Sequence, residues 1–198
     1  MLDIKNVKVY GLEESIVRSG YPMQVGEPED LPIEKFFRQE VKAYSRCKKL
    51  GSSKHGSGHD NFLKGVIVQF DLKYPQYFTP QLQRYSWIDI ISSQSKMHKL
   101  ISRESFTRED FTEEVSNTEW HNTNKRLHRY KTNPSKELEL KLLANLPMGF
   151  MMWMGISTNY LQLKTIYLQR KNHKLDEWRQ FCKWIEELPM FKELILKT

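Results

Sequence analysis

Asn159 and Arg170 lie at the two ends of the segment Asn-Tyr-Leu-Gln-Leu-Lys-Thr-Ile-Tyr-Leu-Gln-Arg, and Leu163, Ile166 and Tyr167 between them have the i, i+3, i+4 spacing of a buried helix face. At about 100° per residue the chain returns to nearly the same azimuth over this stretch, roughly 16 Å further along the axis. An amide and a guanidinium therefore extend the apolar stripe and face whatever the helix packs against. A buried arginine requires a carboxylate, a phosphate or water. Alternatively Arg170 snorkels out of the last turn, where a cation suits the helix dipole, and the helix taken alone favours that arrangement. Two other islands, Ser57-Gly58-His59 and Gln81-Leu82-Gln83-Arg84, also place polar groups where packing would prefer apolar ones. Together the three suggest a divergent nucleotide-binding site.

The elements that must position these groups belong to a chain of 198 residues, a length suited to one globular domain spanning 1–198. Apolar residues make up 39% and aromatic residues 12%, which excludes a disordered chain. No apolar run approaches the length of a membrane span; Gly149 to Ile156 reads as a buried strand. Early Asp3 and the alternation through Val7 and Val9 read as a first strand rather than a signal peptide. With Cys47 and Cys182 the only cysteines, and no CxxC or Cys/His metal spacing, a reducing, cytoplasmic setting is expected. The net charge of +7 fits a polyanionic partner, either a phosphorylated small molecule or a nucleic acid. Its densest basic stretch is 121–131, with Lys125, Arg126, Arg129, Tyr130 and Lys131; a solvated face is favoured there over single-strand binding.

Along the chain the pattern is mixed α and β without repeats. A strand is expected near Ile4 to Tyr10, then a Pro-containing loop, then a helix from about Pro32 to Lys49 that stops at Gly51. The Gly/Ser/Lys/His loop from Gly51 to Gly58 is the stretch flexible enough to wrap a ligand. Val66 to Leu72 has strand character, and Thr79-Pro80 signals a helix start with Thr79 as N-cap. If that helix continues, Gln81, Arg84 and Ile88 share a side and Ser95 comes close to it, whereas Leu82, Tyr85 and Trp87 make the opposing case for the core. Further helices are expected over Lys136 to Leu146 and Asp176 to Leu188, with a strand from Phe150 to Ile156. The Met and Trp residues from Met151 to Met154 read as core.

At these residues the chain resembles the flavin-dependent thymidylate synthases, as a divergent, phage-like member. That family has a Ser-Gly-His opening, a strand, then a helix carrying Gln-x-x-Arg-His-Arg followed by Ser-x-Arg, and a C-terminal helix carrying Asn-x-Arg-x-Leu-x-x-Phe that ends in an Arg. Ser57-Gly58-His59 matches the opening; Gln81 and Arg84 match Gln-x-x-Arg; Ser92 to Ser95 resembles the loop before the phosphate-binding Arg; Asn159, Leu163, Ile166 and Arg170 match the last pattern in register. The likeness covers roughly residues 57 to 98 and 147 to 188. It departs at Tyr85 and Ser86, which replace the His and second Arg associated with flavin, at Ser95-Lys96-Met97, where Lys96 or His98 must substitute for the Arg, and at Leu161.

The resemblance implies an α/β (α+β) fold with a mixed or antiparallel sheet flanked by helices, and a homo-oligomer, a tetramer, with sites shared between subunits. It implies substrate contacts at Gln81, Arg84, Ser95, Lys96 and Arg170 for dUMP or dTMP, and cofactor contacts at His59 and Asn159 for FAD, with folate and NADPH joining if the chain is an active enzyme. Since the cofactor carries the hard step, a chain that cannot hold flavin cannot run the family's reaction, and a non-catalytic binder of nucleotides or nucleic acid is the competing class. Other chemistry is poorly supported. His55 and His59 lack helical geometry and a third ligand for zinc, Cys47 has basic neighbours but no Cys/His signature, and no P-loop or dinucleotide fingerprint occurs.

Overall fold

The computed structural model describes residues 2–27 and 41–196. Four strands, β1 (Asp3–Tyr10), β2 (Ile67–Pro75), β3 (Asp89–Ser93) and β4 (Met151–Asn159), form one antiparallel sheet in the order β1-β2-β4-β3. The register of β2 and β4 is visible at both of their ends, where the Tyr160 N–H donates to Val66 O at 3.0 Å and the Tyr77 N–H to Met148 O at 3.2 Å. Along β2 the alternation of Val68, Phe70, Leu72 and Tyr74 buries every second side chain, the period-two signature of a strand with one covered face. In β4 the same spacing buries Met152, Met154, Ile156 and Thr158, so the Met-rich segment is core, as its composition suggests.

The described helices are α1 (Leu12–Arg18), α2 (Val41–Gly51), α3 (Thr79–Leu82), α4 (Lys96–Ile101), α5 (Asn117–Thr132), α6 (Lys136–Ala144), α7 (Tyr160–Arg170), α8 (Asp176–Glu186) and α9 (Phe191–Ile195). The start of the helix expected from Pro32 lies outside the described residues. The expected long helix from Thr79 is corrected: α3 ends at Leu82, the chain turns through Ser86 and becomes β3, and Ser95 caps a separate helix. Thr79 is the first residue of α3 rather than its N-cap, with Pro80 in the first turn as expected. The basic run 121–131 is the body of α5.

Two compact units make up the chain. The first comprises Met1–Lys5, Asp71–Ser86 and Ile90–Ile156; the second comprises Asn6–Phe70, Trp87–Asp89 and Ser157–Thr198. In the first, Phe106, Phe111 and Phe150 meet edge to face with centroids 5.4–6.0 Å apart. Asp110 is buried there by a capping box with Thr107 and by Arg103, whose Nη1 donates to Oδ2 at 2.7 Å. In the second unit, Trp178, Phe181, Cys182 and Ile185 of α8 are all buried, together with Phe70 and Phe191. The α8 stripe thus packs into its own unit's core.

Both cysteines are buried. Burial pushes the Cys47 thiol above its ordinary pKa, against the lowering pull of the Ser19 hydrogen bond and Arg46. Burial, then Glu186, pushes Cys182 up to about 12, while Arg170 pulls it down. The basic neighbours of Cys47 therefore do not make a reactive thiolate. Neither thiol is expected to react with a chromogenic disulfide reagent at neutral pH until the protein unfolds, when both should react. A stoichiometric fast phase in the native protein would contradict this.

Candidate functional site

The polar residues of α7 are the place to begin, because each must be satisfied by something. Asn159 ends β4 and caps α7, its Oδ1 accepting from the Gln162 N–H at 2.9 Å. Gln162 Oε1 accepts in turn from the Trp87 N–H at 3.3 Å. The expected stripe of Leu163, Ile166 and Tyr167 is buried. Beside it sits Lys164, only 2% exposed. Its Nζ donates to Asp60 Oδ2 at 2.5 Å, Gly51 O at 2.9 Å and Ser53 O at 2.7 Å. All three protons of the ammonium are used, which is what a buried lysine requires. Arg170 lies with its guanidinium carbon 4.9 Å from the centre of the buried Trp178 ring, a cation–π contact at the helix end. These side chains have protein partners within the second unit, so the polarity of α7 does not by itself demand a ligand.

Lys164 also fixes the loop that carries Ser57-Gly58-His59. With Gly51 O, Ser53 O and Asp60 tied to one ammonium, both ends of that loop are anchored, and Gly51 packs so closely on Leu194 O that no Cβ fits. The expected freely wrapping stretch is therefore reduced to the tip. There Gly58 has φ of 80°, the Ser57 Oγ accepts from the His59 N–H at 3.4 Å, and the His59 side chain is exposed. Gly58 and His59 line a cleft of about 850 Å³ with Arg18, Arg46 and Lys49.

In the first unit, α3 and the turn after it bury Leu82 and Tyr85 and leave Arg84 exposed. Among the described residues Arg84 has no hydrogen-bond or ion-pair partner, whereas the half-buried Gln81 is engaged. Ser95 caps α4, its Oγ accepting from the His98 N–H at 3.4 Å, and Lys96 is exposed in the first turn. In the same helix Lys99 donates to Met151 O at 2.7 Å and lies 4.0 Å from Asp110; burial lowers its pKa, opposed by Asp110. Among the described residues no group of three His, Cys, Asp or Glu side chains is arranged to hold a metal, and no helix is long and apolar enough to cross a membrane.

No protein-family model matches the chain, and no curated protein matches its sequence. Solved structures do match. The flavin-dependent thymidylate synthase of Helicobacter pylori in complex with FAD and dUMP shares 15% identity at a TM-score of 0.65, over 99% of this chain and 97% of its own. A second structure of that enzyme with FAD and dUMP gives 14% identity and a TM-score of 0.66, over 99% and 96%. This is the flavin-dependent thymidylate synthase fold. A UMP/dUMP methylase from Streptomyces cacaoi, bound with 5-Br dUMP, shares it at 12% identity and a TM-score of 0.63, over 98% and 92%.

On this thymidylate synthase fold the residues at the Arg84 turn differ from the pair that the resemblance associates with flavin, while His59 stands exposed at the tip of its loop. The Arg84-Tyr85-Ser86 turn offers one exposed guanidinium, a phenol ring that is 9% exposed and a hydroxyl, with neither an imidazole nor a second cation. The Asn159 side-chain oxygen caps α7 by accepting from the Gln162 N–H. Sequence reasoning missed Arg18, Arg46 and Lys49 as neighbours of the His59 loop. The available signal was the basic cluster Arg46, Lys48 and Lys49 around Cys47, which read as a modulator of the thiol rather than as the wall of a cleft.

Proposed function

We propose that this chain binds a pyrimidine deoxynucleotide monophosphate, dUMP or dTMP. The observation that carries the reading is Arg84, the guanidinium retained from Gln-x-x-Arg, which is exposed and without a hydrogen-bond or ion-pair partner among the described residues. It rises from a turn fixed by the burial of Leu82 and Tyr85, so its backbone is held in place while its forked donors stay free. Such a fork suits a phosphate or a uracil carbonyl better than an ammonium does. Gln81 beside it and the exposed Lys96, with the Ser95 hydroxyl, are the further substrate contacts of this reading. The nucleotides held by the solved structures of the same fold support the choice of ligand class. With Tyr85 and Ser86 in place of the flavin-associated pair, the reading is of a nucleotide binder, and no reaction step through flavin is assigned.

The test is calorimetric and spectroscopic. Purified protein should be colourless, fail to take up FAD at the Arg84 turn, and give heat with dUMP that diminishes as salt rises. A yellow protein with a flavin spectrum would restore the methylating enzyme, and absence of heat with both dUMP and dTMP would refute the reading. The nucleic-acid alternative draws on one observation: His121, Lys125, His128 and Arg129 are all exposed along α5. Oligonucleotide binding that falls steeply with salt, without mononucleotide heat, would favour it.

A further inference from the structure

Helix α5 carries its charge in a way that helix stability does not require. From Trp120 to Thr132 it contains Lys125, Arg126, Arg129 and Lys131 and no Asp or Glu. A helix face that only needs solvation mixes the two signs, as the neighbouring α6 does with Lys136 paired to Glu139 at 3.1 Å and Lys141 to Glu137 at 2.5 Å. The helix dipole accounts for Arg129 and Lys131 in the last turn of α5, and Lys131 is also paired with Glu104 at 3.4 Å. It does not account for Lys125 and Arg126 in the middle of the helix.

The exposed residues His121, Lys125, His128 and Arg129 fall within about 100° of azimuth and run roughly 12 Å along the helix axis. At the start of this stripe the His121 ring lies on Trp120, with centroids 4.6 Å apart and planes 36° apart. Trp120 is fixed in turn by its Nε1, which donates to Phe106 O at 2.8 Å. On the side toward α6, Arg126, Arg129, Leu138, Lys141 and Asn145 line a hollow of about 240 Å³. Small-molecule sites usually begin near about 300 Å³, so the hollow suits a single phosphate group better than a whole nucleotide. Arg126 is held at its edge by donating from Nη1 to Asn145 O at 3.4 Å, and Glu119 lies 3.8 Å away. Solvent-exposed ion pairs of this kind are weak, so an incoming phosphate can take the place of Glu119.

We propose that the α5–α6 face binds single-stranded nucleic acid, with one backbone phosphate in the hollow lined by Arg129 and Lys141, the strand following Lys125, and a base stacked on His121. The cations provide the attraction, and the ring selects a single strand, because only an unpaired base can offer its face for stacking. The site uses none of the residues of the mononucleotide reading and does not rest on it.

The test is fluorescence anisotropy of the full chain with labelled oligothymidylate and oligouridylate at near-physiological salt, set against a duplex of equal length. The single strands should bind with a dissociation constant on the order of micromolar, and about fivefold or more tightly than the duplex. Lys125→Gln/Arg129→Gln, altered only at exposed side chains, should weaken the strand about tenfold or more at an unchanged melting temperature. The slope of log affinity against log salt should fall by about 0.7 for each charge removed. Lys141→Gln, on the facing helix, should lower the slope by one such step, which a site confined to α5 would not show. His121→Ala should weaken the strand about fivefold or more with the slope nearly unchanged, as lost stacking does. Excess dUMP should not displace the strand, and a protein that gives no heat with dUMP should still bind it. The proposal is overturned if no single strand binds below about 100 μM, if the duplex binds as tightly, or if a folded Lys125→Gln/Arg129→Gln protein binds as wild type. It is equally overturned if His121→Ala and Lys141→Gln both bind as wild type, or if dUMP competes with the strand.

Discussion

Replacing Lys164 by methionine is expected to lower the unfolding free energy by about 3–5 kcal/mol, the range for removing one partner of a buried ion pair. Methionine fills much the same volume, so the loss is electrostatic rather than steric. Asp60, 2% exposed, would be left as a carboxylate without its cation, and Gly51 O and Ser53 O would lose their donor. At about 2–4 °C per kcal/mol for a chain of this size, the melting temperature should fall by roughly 6–20 °C. Adding Asp60→Leu to Lys164→Met should recover a large part of the loss, because an apolar pair of similar volume often replaces a buried ion pair at little cost. Urea unfolding of both variants checks this. A deficit below about 1 kcal/mol in the single variant would mean that water reaches the pair.

Trp178→Ala is the second large expected effect. Trp178 is fully buried, 6.0 Å from Phe181 and 6.4 Å from His173 between ring centroids, and it supports the Arg170 guanidinium at 4.9 Å. Deleting a buried indole costs about 3–5 kcal/mol through lost transfer energy and the cavity left behind. Trp178→Phe should cost appreciably less, since a ring remains to carry both the packing and the cation. Equal losses in the two variants, measured by urea unfolding, would show that the indole itself, not the ring face, stabilises this end of α7 and α8.

The two effects also mark what the sequence could and could not reveal. The Leu163, Ile166, Tyr167 stripe was legible because a helix buried on one face writes its period into neighbouring residues. The same is true of β2, where alternation of Val68, Phe70 and Leu72 signals a strand. Lys164 was not legible. A lysine between Leu163 and Thr165 reads as a solvated flank, and its partner Asp60 lies 104 residues away in the chain. The misread helix after Thr79 has a related cause. Thr79-Pro80 correctly signals a start, but nothing local signals the stop after Leu82, because the turn is secured by burial of Tyr85 and Ile88. β3 carries almost no hydrophobic alternation, since Asp89, Ile91, Ser92 and Ser93 are exposed and it lies at the edge of the sheet. Its existence follows from pairing with a strand some sixty residues later, where the Gln94 N–H donates to Trp153 O.

For the candidate site, the motif residues divided along similar lines. Arg84 stands out in the sequence by its place in Gln-x-x-Arg, and the fold leaves it exposed. Asn159 was legible as a polar residue at the head of a buried helix, but spacing could not distinguish a cofactor contact from the N-cap it forms. The cations of the His59 cleft come from α1 and α2, which lie on separate stretches of sequence, so their shared surface exists only once the chain is folded.

Calorimetric titration of dUMP into wild-type protein and into Arg84→Ala, with Lys125→Gln/Arg129→Gln as a control for distant charge, tests the central claim most directly. Losing one charge-assisted contact should weaken dUMP by about 1.5–3 kcal/mol in Arg84→Ala. The α5 control should retain nearly all its affinity at physiological salt, because its exposed charges act only as a screened field. Equal dUMP affinity in wild type and a folded Arg84→Ala, or a loss confined to the α5 variant, would contradict the assignment of Arg84 as the nucleotide's anchor.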